Sequence, residues 1–211
     1  MKSTDLYQKL NISELSEIQT ETLDFFERNL DLEHKNSTED YFVHVPLNEF
    51  PTLKKFLEPR AKIEINETSV YFIPPKSKSK IHIDGLRKDN GKIPEGMMMA
   101  HQYVLVIPIA NYQDTINNWY DNNDVSDNGE FIVNHIREQF PYNFFVSFVK
   151  EEIKLNPIGS TTIDNATFIK SNIYHEVINQ GPKSRMVFVI RFRELEYYDN
   201  LDYVFEYRDL I

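Results

Sequence analysis

From Ala61 onward the chain is written in short β-branched and aromatic runs separated by turn residues, and this rhythm constrains the fold more than any other feature. Roughly eight such runs can be marked, the pattern of an all-β sandwich or barrel. They are Ala61–Ile65, Val70–Ile73, Lys80–Asp84, Tyr103–Ile109, Phe144–Val149, Ser160–Ile169, Asn172–Ile178 and Arg185–Phe192. Two interruptions break the series. One is a glycine-containing loop from Gly85 to Ala100; the other is a polar excursion from Asn111 to Gly129, followed by a predicted helix over Glu130 to Gln139.

The segment before Ala61 is read differently. Apolar residues at Leu15, Ile18, Phe25, Phe26 and Leu30 make one face of an amphipathic helix over Ser13 to Leu30. A second helix is predicted over Asn48 to Leu57, with Pro51 in its first turn and Pro59 beyond its end. Residues 1–60 are therefore expected to be a helical support region, 61–195 a β core and 196–211 a tail lying across the sheet, all within one domain.

Composition removes several classes of function. With 33 acidic against 23 basic residues the formal charge is -10, a field that repels phosphate backbones and anionic surfaces, so nucleic acid is an unlikely partner. The chain has no cysteine, which excludes disulfides, thiolate metal sites and a thiol nucleophile. Any metal must be held by histidine and carboxylate. Neither a secretory h-region nor an apolar run of membrane-spanning length is present in the sequence, so the expected location is cytoplasmic with no membrane partner.

The chemistry concentrates in His82-Ile83-Asp84. On a strand, residues i and i+2 share a face, so His82 and Asp84 project together while Ile83 points the other way into a core. Two ligands do not hold a metal tightly, and the candidate third is His175, 91 residues beyond Asp84 on another predicted strand. Two imidazoles and one carboxylate on one side of an ion leave the opposite side open, the arrangement of non-heme Fe(II) oxygenases, whereas zinc prefers a closed tetrahedron. Arg185 follows His175 by 10 residues and shares a strand face with Val187 and Val189. An arginine directed into a barrel is costly unless an anion meets it, and a dicarboxylate chelating the metal at one end would supply that anion at the other.

This ordered set, H-x-D at His82 and Asp84, distal His175 and Arg185 ten residues later, resembles the 2-oxoglutarate/Fe(II)-dependent oxygenases of the double-stranded β-helix fold, over roughly Ala61 to Arg193. The texture is also similar to small oxygenase-like proteins of phages and marine microbes. The resemblance implies a mainly β, cupin-like jelly roll with N-terminal α-helices packed on the sheet. It implies His82, Asp84 and His175 as Fe(II) ligands, Arg185 as the partner of the distal 2-oxoglutarate carboxylate, and O2 as co-reactant. The implied activity is a hydroxylase-type dioxygenase releasing succinate and CO2, acting on a small molecule or an amino-acid or peptide substrate. One position departs from the family: the Ser or Thr often found two residues after the arginine is Val187, so a second carboxylate contact must come from elsewhere, and Tyr71 is the candidate. A catalytically silent barrel acting as a ligand-binding or assembly module, and a cupin metalloenzyme independent of 2-oxoglutarate, are the alternatives.

Other features have plainer readings. His34, His44, His101 and His135 are read as surface or supporting histidines. Lys76, Lys78 and Lys80 are read as a solvated turn, with steering of an anionic substrate as the alternative. The loop through Gly85-Leu86-Arg87-Lys88 and Gly96-Met97-Met98-Met99 could form a lid. Asn117, Asn118 and Trp119, in the segment Asn111 to Trp119, are read as an exposed loop with one anchoring tryptophan, with lining of the substrate pocket as the alternative.

Overall fold

A computed structural model describes residues 6–29, 38–84, 102–121, 132–137, 144–149, 154–193 and 200–211, with backbone alone for 132–137 and 144–147. The strand series folds into two antiparallel sheets. The first has the order β1-β11-β6-β13-β3-β2, built from Tyr7–Lys9 (β1), Thr167–Lys170 (β11), Tyr103–Ala110 (β6), Arg185–Phe192 (β13), Ile65–Ile73 (β3) and Tyr41–His44 (β2). The second has the order β10-β7-β12-β5-β9-β8, built from Pro157–Thr161 (β10), Thr115–Tyr120 (β7), His175–Asn179 (β12), His82–Asp84 (β5), Phe144–Val149 (β9) and Ile132–Arg137 (β8). Ser77–Lys78 (β4) pairs with β12 just before β5 does. The chain passes from one sheet to the other six times among the described strands, between β3 and β4, β5 and β6, β6 and β7, β10 and β11, β11 and β12, and β12 and β13. That exchange makes the protein a mainly β double-stranded β-helix.

Strand alternation explains both faces of the first sheet. Along β13, Met186, Phe188, Ile190 and Phe192 join the cluster that contains Ile18 and Phe26 of the helix Leu15–Asn29 (α1) and Leu53 and Phe56 of the helix Pro51–Leu57 (α2). Phe50 meets Phe188 edge-on at 4.9 Å, and Phe26 meets Phe72 at 5.4 Å. Each buried phenyl contributes about 1.5–3 kcal/mol of hydrophobic stabilisation. The other face carries Val187 and Val189, which pack with Tyr71, Ile73, Val104, Val106, Trp119 and Val177 between the sheets. Leu201, Val204 and Phe205 of the tail pack into the helix-side cluster, and Phe205 bridges to Ala61. Among the described residues no helix is long and apolar enough to cross a membrane.

Several local expectations are corrected. The segment expected to be a helix over Glu130 to Gln139 is a strand at its described residues, Ile132–Arg137, zipped antiparallel to β9. Asn111 to Gly129 is not all loop, because Thr115–Tyr120 is a strand between β10 and β12. Ala61–Ile65 is not a strand; Ala61 makes a single bridge and β3 runs from Ile65 to Ile73. Ser160–Ile169 divides into β10 and β11, which lie in different sheets. The helix over Asn48 to Leu57 begins as a separate 3-10 turn, Leu47–Glu49, because Pro51 forces Phe50 out of helical dihedrals, to φ -127° and ψ 76°. Strands β1 and β2 add the N-terminal region to the first sheet as well as placing helices on it. The candidate lid from Gly85 to Ala100, together with His34 and His101, lies outside the described residues, as does the side chain of His135.

Candidate active site

The register of β12 against β5 sets His175 directly opposite His82. Their rings stand 4.4 Å apart, tilted by 46°. Asp84, two residues along β5, is buried, and its Oδ1 lies 3.9 Å from His82 Nε2. Ile83 points to the opposite face and packs with Tyr120, Val149 and Tyr174, as strand alternation requires. The Asp84 amide donates to Ser171 O at 2.9 Å, tying β5 to the residues just before β12.

Both imidazoles are held in one tautomer. His82 Nδ1 lies 2.7 Å from Lys80 O and His175 Nδ1 lies 2.8 Å from Ile173 O. A carbonyl can only accept, so each Nδ1 carries a proton, and in the neutral ring the lone pair is then on Nε2, the form in which imidazole binds a metal. Burial holds the His175 pKa below its usual 6.5, opposed by the neighbouring Asp84 charge, so the ring is neutral and ready to ligate near pH 7. His82 and His175 thus face each other and Asp84 lies beside His82, while among the described residues no group of three or more such side chains is arranged to hold a metal ion. Asp84 has a cationic partner.

That partner is Arg191, a residue outside the sequence-based set. Its Nη2 donates to Asp84 Oδ2 at 3.3 Å and its Nη1 to Glu67 Oε1 at 3.1 Å. Ser69 Oγ donates to the same Glu67 oxygen at 2.8 Å, and His44 Nδ1 is 3.7 Å from it. Asp84, Arg191 and Glu67 are all buried, so the triad's carboxylate belongs to a desolvated chain of alternating charge. The signal was present in the spacing: Arg191 is six residues after Arg185 and therefore on the same strand face.

Arg185 opens β13, at the end of the strand away from Arg191, and is only 1% exposed. Six residues of strand separate the two arginines, about 20 Å, with Val187 and Val189 between them. Among the described residues Arg185 Nε and Nη2 have no hydrogen-bond partner. These two atoms form the side-on edge of a guanidinium, whose parallel N–H groups match the two oxygens of a carboxylate. Desolvation pulls its pKa down to about 10, with Tyr71 opposing the shift, so the group stays charged at neutral pH. Tyr71 is the register partner of Val187 and faces the interior, and its hydroxyl donates to Asp40 Oδ2 at 2.6 Å.

Trp119 is not on an exposed loop. It is wholly buried on β7, opposite His175 in register, with Nε1 donating to Lys170 O at 3.2 Å and Tyr7 stacked on it at 5.6 Å. Asn118 points the other way and donates to Glu176, which also accepts from the Tyr120 hydroxyl. Lys76, Lys78 and Lys80 are exposed, and Lys78 lies 3.9 Å from Glu176 rather than beside the triad.

No protein-family model matches the sequence, and no curated protein matches it. Among solved structures, the chain is similar to the non-heme alpha-ketoglutarate-dependent carbocyclase SnoK from nogalamycin biosynthesis, with TM-score 0.50 and 11% identity over 90% of this chain and 81% of that one. It is also similar to HygX from Streptomyces hygroscopicus, solved with nickel and 2-oxoglutarate bound, with TM-score 0.48 and 8% identity over 92% and 83%. For a Pseudomonas putida prolyl-4-hydroxylase the TM-score is 0.48 and the identity 10% over 89% and 91%. At such identities the likeness concerns the fold, and the fold is the one the strand order gives: the double-stranded β-helix.

Proposed function

We propose that this protein is an Fe(II)- and 2-oxoglutarate-dependent dioxygenase of the hydroxylase type, with His82, Asp84 and His175 as metal ligands and Arg185 as the anchor for the distal carboxylate. The observation that carries this reading is the buried, unpartnered Nε/Nη2 edge of Arg185. A charged group is not stable in such a place without an anion to meet it, and a carboxylate matches that edge in shape and charge. His175 opens the five-residue strand that precedes Arg185 in the chain, with Asn179 at the end of that strand nearer Arg185, and a dicarboxylate held by the metal at one end would extend from His175 toward Arg185.

When bound, the metal and its keto-acid supply the oxidative chemistry, with succinate and CO2 as products of the cosubstrate. The chain's own residues do the rest. The Nδ1–H bonds of His82 and His175 fix the ring planes and make Nε2 the nitrogen each ring would present to the metal. Arg191 holds Asp84 Oδ2, leaving Oδ1 on the side of His82. Val187, Val189, Ile73 and Val177 line the space between the sheets with apolar surface that excludes water.

The direct test is succinate release from 2-oxoglutarate by Fe(II)-loaded protein in air. Release that depends on Fe(II) and is lost in His82→Ala is the expected result. Absence of succinate, in a protein that retains Fe(II), would transfer the site to a metalloenzyme that uses no 2-oxoglutarate.

A further inference from the structure

The two peptide groups immediately before Arg185 are each gripped by an asparagine side chain, one from the end of β12 and one from the turn after β6. Asn179 Nδ2 donates to Lys183 O at 2.9 Å, and Asn111 Nδ2 donates to Ser184 O at 2.9 Å. Asn179 is 1% exposed, and the two hydrogens of its amide are shared among Lys183 O, Ile73 O at 3.1 Å and Pro74 O at 2.9 Å, while its Oδ1 accepts from Gly181 N at 3.0 Å. Ile73 is the register partner of Arg185, so one side chain joins the strand opposite Arg185 to the turn that leads into it. Asn111 reaches Ser184 from the β6–β7 turn, where its φ of 53° lies in the left-handed region that asparagine tolerates.

A guanidinium on a long stem, buried with its recognition edge unpartnered, has few attachments of its own to fix that edge. Its aim is set by where the backbone delivers the side chain. We propose that Asn179 and Asn111 form an amide clamp that positions Arg185 for the distal carboxylate of the cosubstrate. Both are positioning residues, and the proposal rests on the reading of Arg185 given above. Small displacements matter here because a bidentate pair requires both N–H groups to meet both oxygens, and a shift of about 1 Å can cost about a hundredfold in a well-aligned site.

The test compares two keto-acids on Mn(II)-loaded protein by calorimetry: 2-oxoglutarate, and 2-oxobutyrate, which has the chelating end but no distal carboxylate. The variants are Asn111→Gly, which keeps the positive φ accessible while removing the amide, Asn111→Ala and Asn179→Ala. The clamp requires that 2-oxoglutarate binding weaken about tenfold in Asn111→Gly and about ten- to a hundredfold in Asn179→Ala. Mn(II) and 2-oxobutyrate affinities stay at the wild-type level in both. If Asn179→Ala does not fold, Asn111→Gly still gives the answer. Unchanged 2-oxoglutarate affinity in Asn111→Gly and Asn111→Ala, or an equal loss for both keto-acids, overturns the clamp. A wild-type protein that binds 2-oxoglutarate no better than 2-oxobutyrate overturns the role of Arg185 itself, and the clamp falls with it.

Discussion

Arg185→Met is expected to weaken 2-oxoglutarate binding by more than a hundredfold while raising the melting temperature of the metal-free protein. The two effects have one cause. Arg185 is a buried cation whose Nε and Nη2 find no partner, so the apoprotein carries its desolvation cost uncompensated. Methionine fills a similar length with apolar atoms, and replacing costly buried charge by apolar volume commonly gains about 1–4 kcal/mol. Removing one partner of a buried charge pair costs about 2–5 kcal/mol of binding, which sets the size of the affinity loss. Thermal unfolding of the apoprotein and calorimetry of the Mn(II)-loaded form measure the two halves separately. A variant that is less stable and binds 2-oxoglutarate normally would mean that Arg185 is a structural cation with a partner of its own.

Arg191→Met is expected to act in the opposite direction on stability. Arg191 stands between two buried carboxylates, 3.3 Å from Asp84 and 3.1 Å from Glu67. Its loss leaves like charges facing each other away from water, a change that typically destabilises by about 3–5 kcal/mol. Two further observations would identify the cause as electrostatic. The double variant Arg191→Met/Glu67→Gln should recover part of the lost stability, because one of the stranded charges has gone. Added Mn(II) should raise the melting temperature of Arg191→Met more than that of the wild type, since a cation at Asp84 replaces the one removed. A fall in stability that neither the second substitution nor the metal relieves would point to lost packing, including the placement of Arg191 over the Phe42 ring at 5.4 Å.

The parts of the site that alternation can reach were legible in the sequence. His82 and Asp84 share a face and Ile83 takes the other, as a strand of period two demands. The pairing of His175 with His82, by contrast, is a tertiary fact that β12 and β5 establish by lying side by side. The period of two that joins Arg185, Val187 and Val189 extends to Arg191, but nothing in the sequence marks Asp84 and Glu67 as its partners. Glu67 falls between the apolar runs Ala61–Ile65 and Val70–Ile73, and only the pairing of the nine-residue strand β3 with β13 shows it as a buried strand residue.

Failures of fold reading have similar origins. Strand β7 turns Thr115, Asn117 and Trp119 toward the interior, so polar residues sit where a strand usually shows apolar ones, and two adjacent asparagines imitate a loop. Ile132–Arg137 is a short run that helix and strand periods fit about equally, and only its pairing with β9 decides between them. In Ser160–Ile169 the residues Asp164 and Asn165 mark the crossing between sheets, a turn signal inside an otherwise β-rich run.

The most direct measurement is an anaerobic titration of the apoprotein with Fe(II) and then with 2-oxoglutarate, followed by visible absorption, with His175→Ala treated in parallel. The expected result is a metal-to-ligand charge-transfer band that grows with 2-oxoglutarate in the wild type and is absent from the variant. Fe(II) binding with no band at saturating 2-oxoglutarate, or an equal band in His175→Ala, would contradict the assignment of this site to a chelated keto-acid.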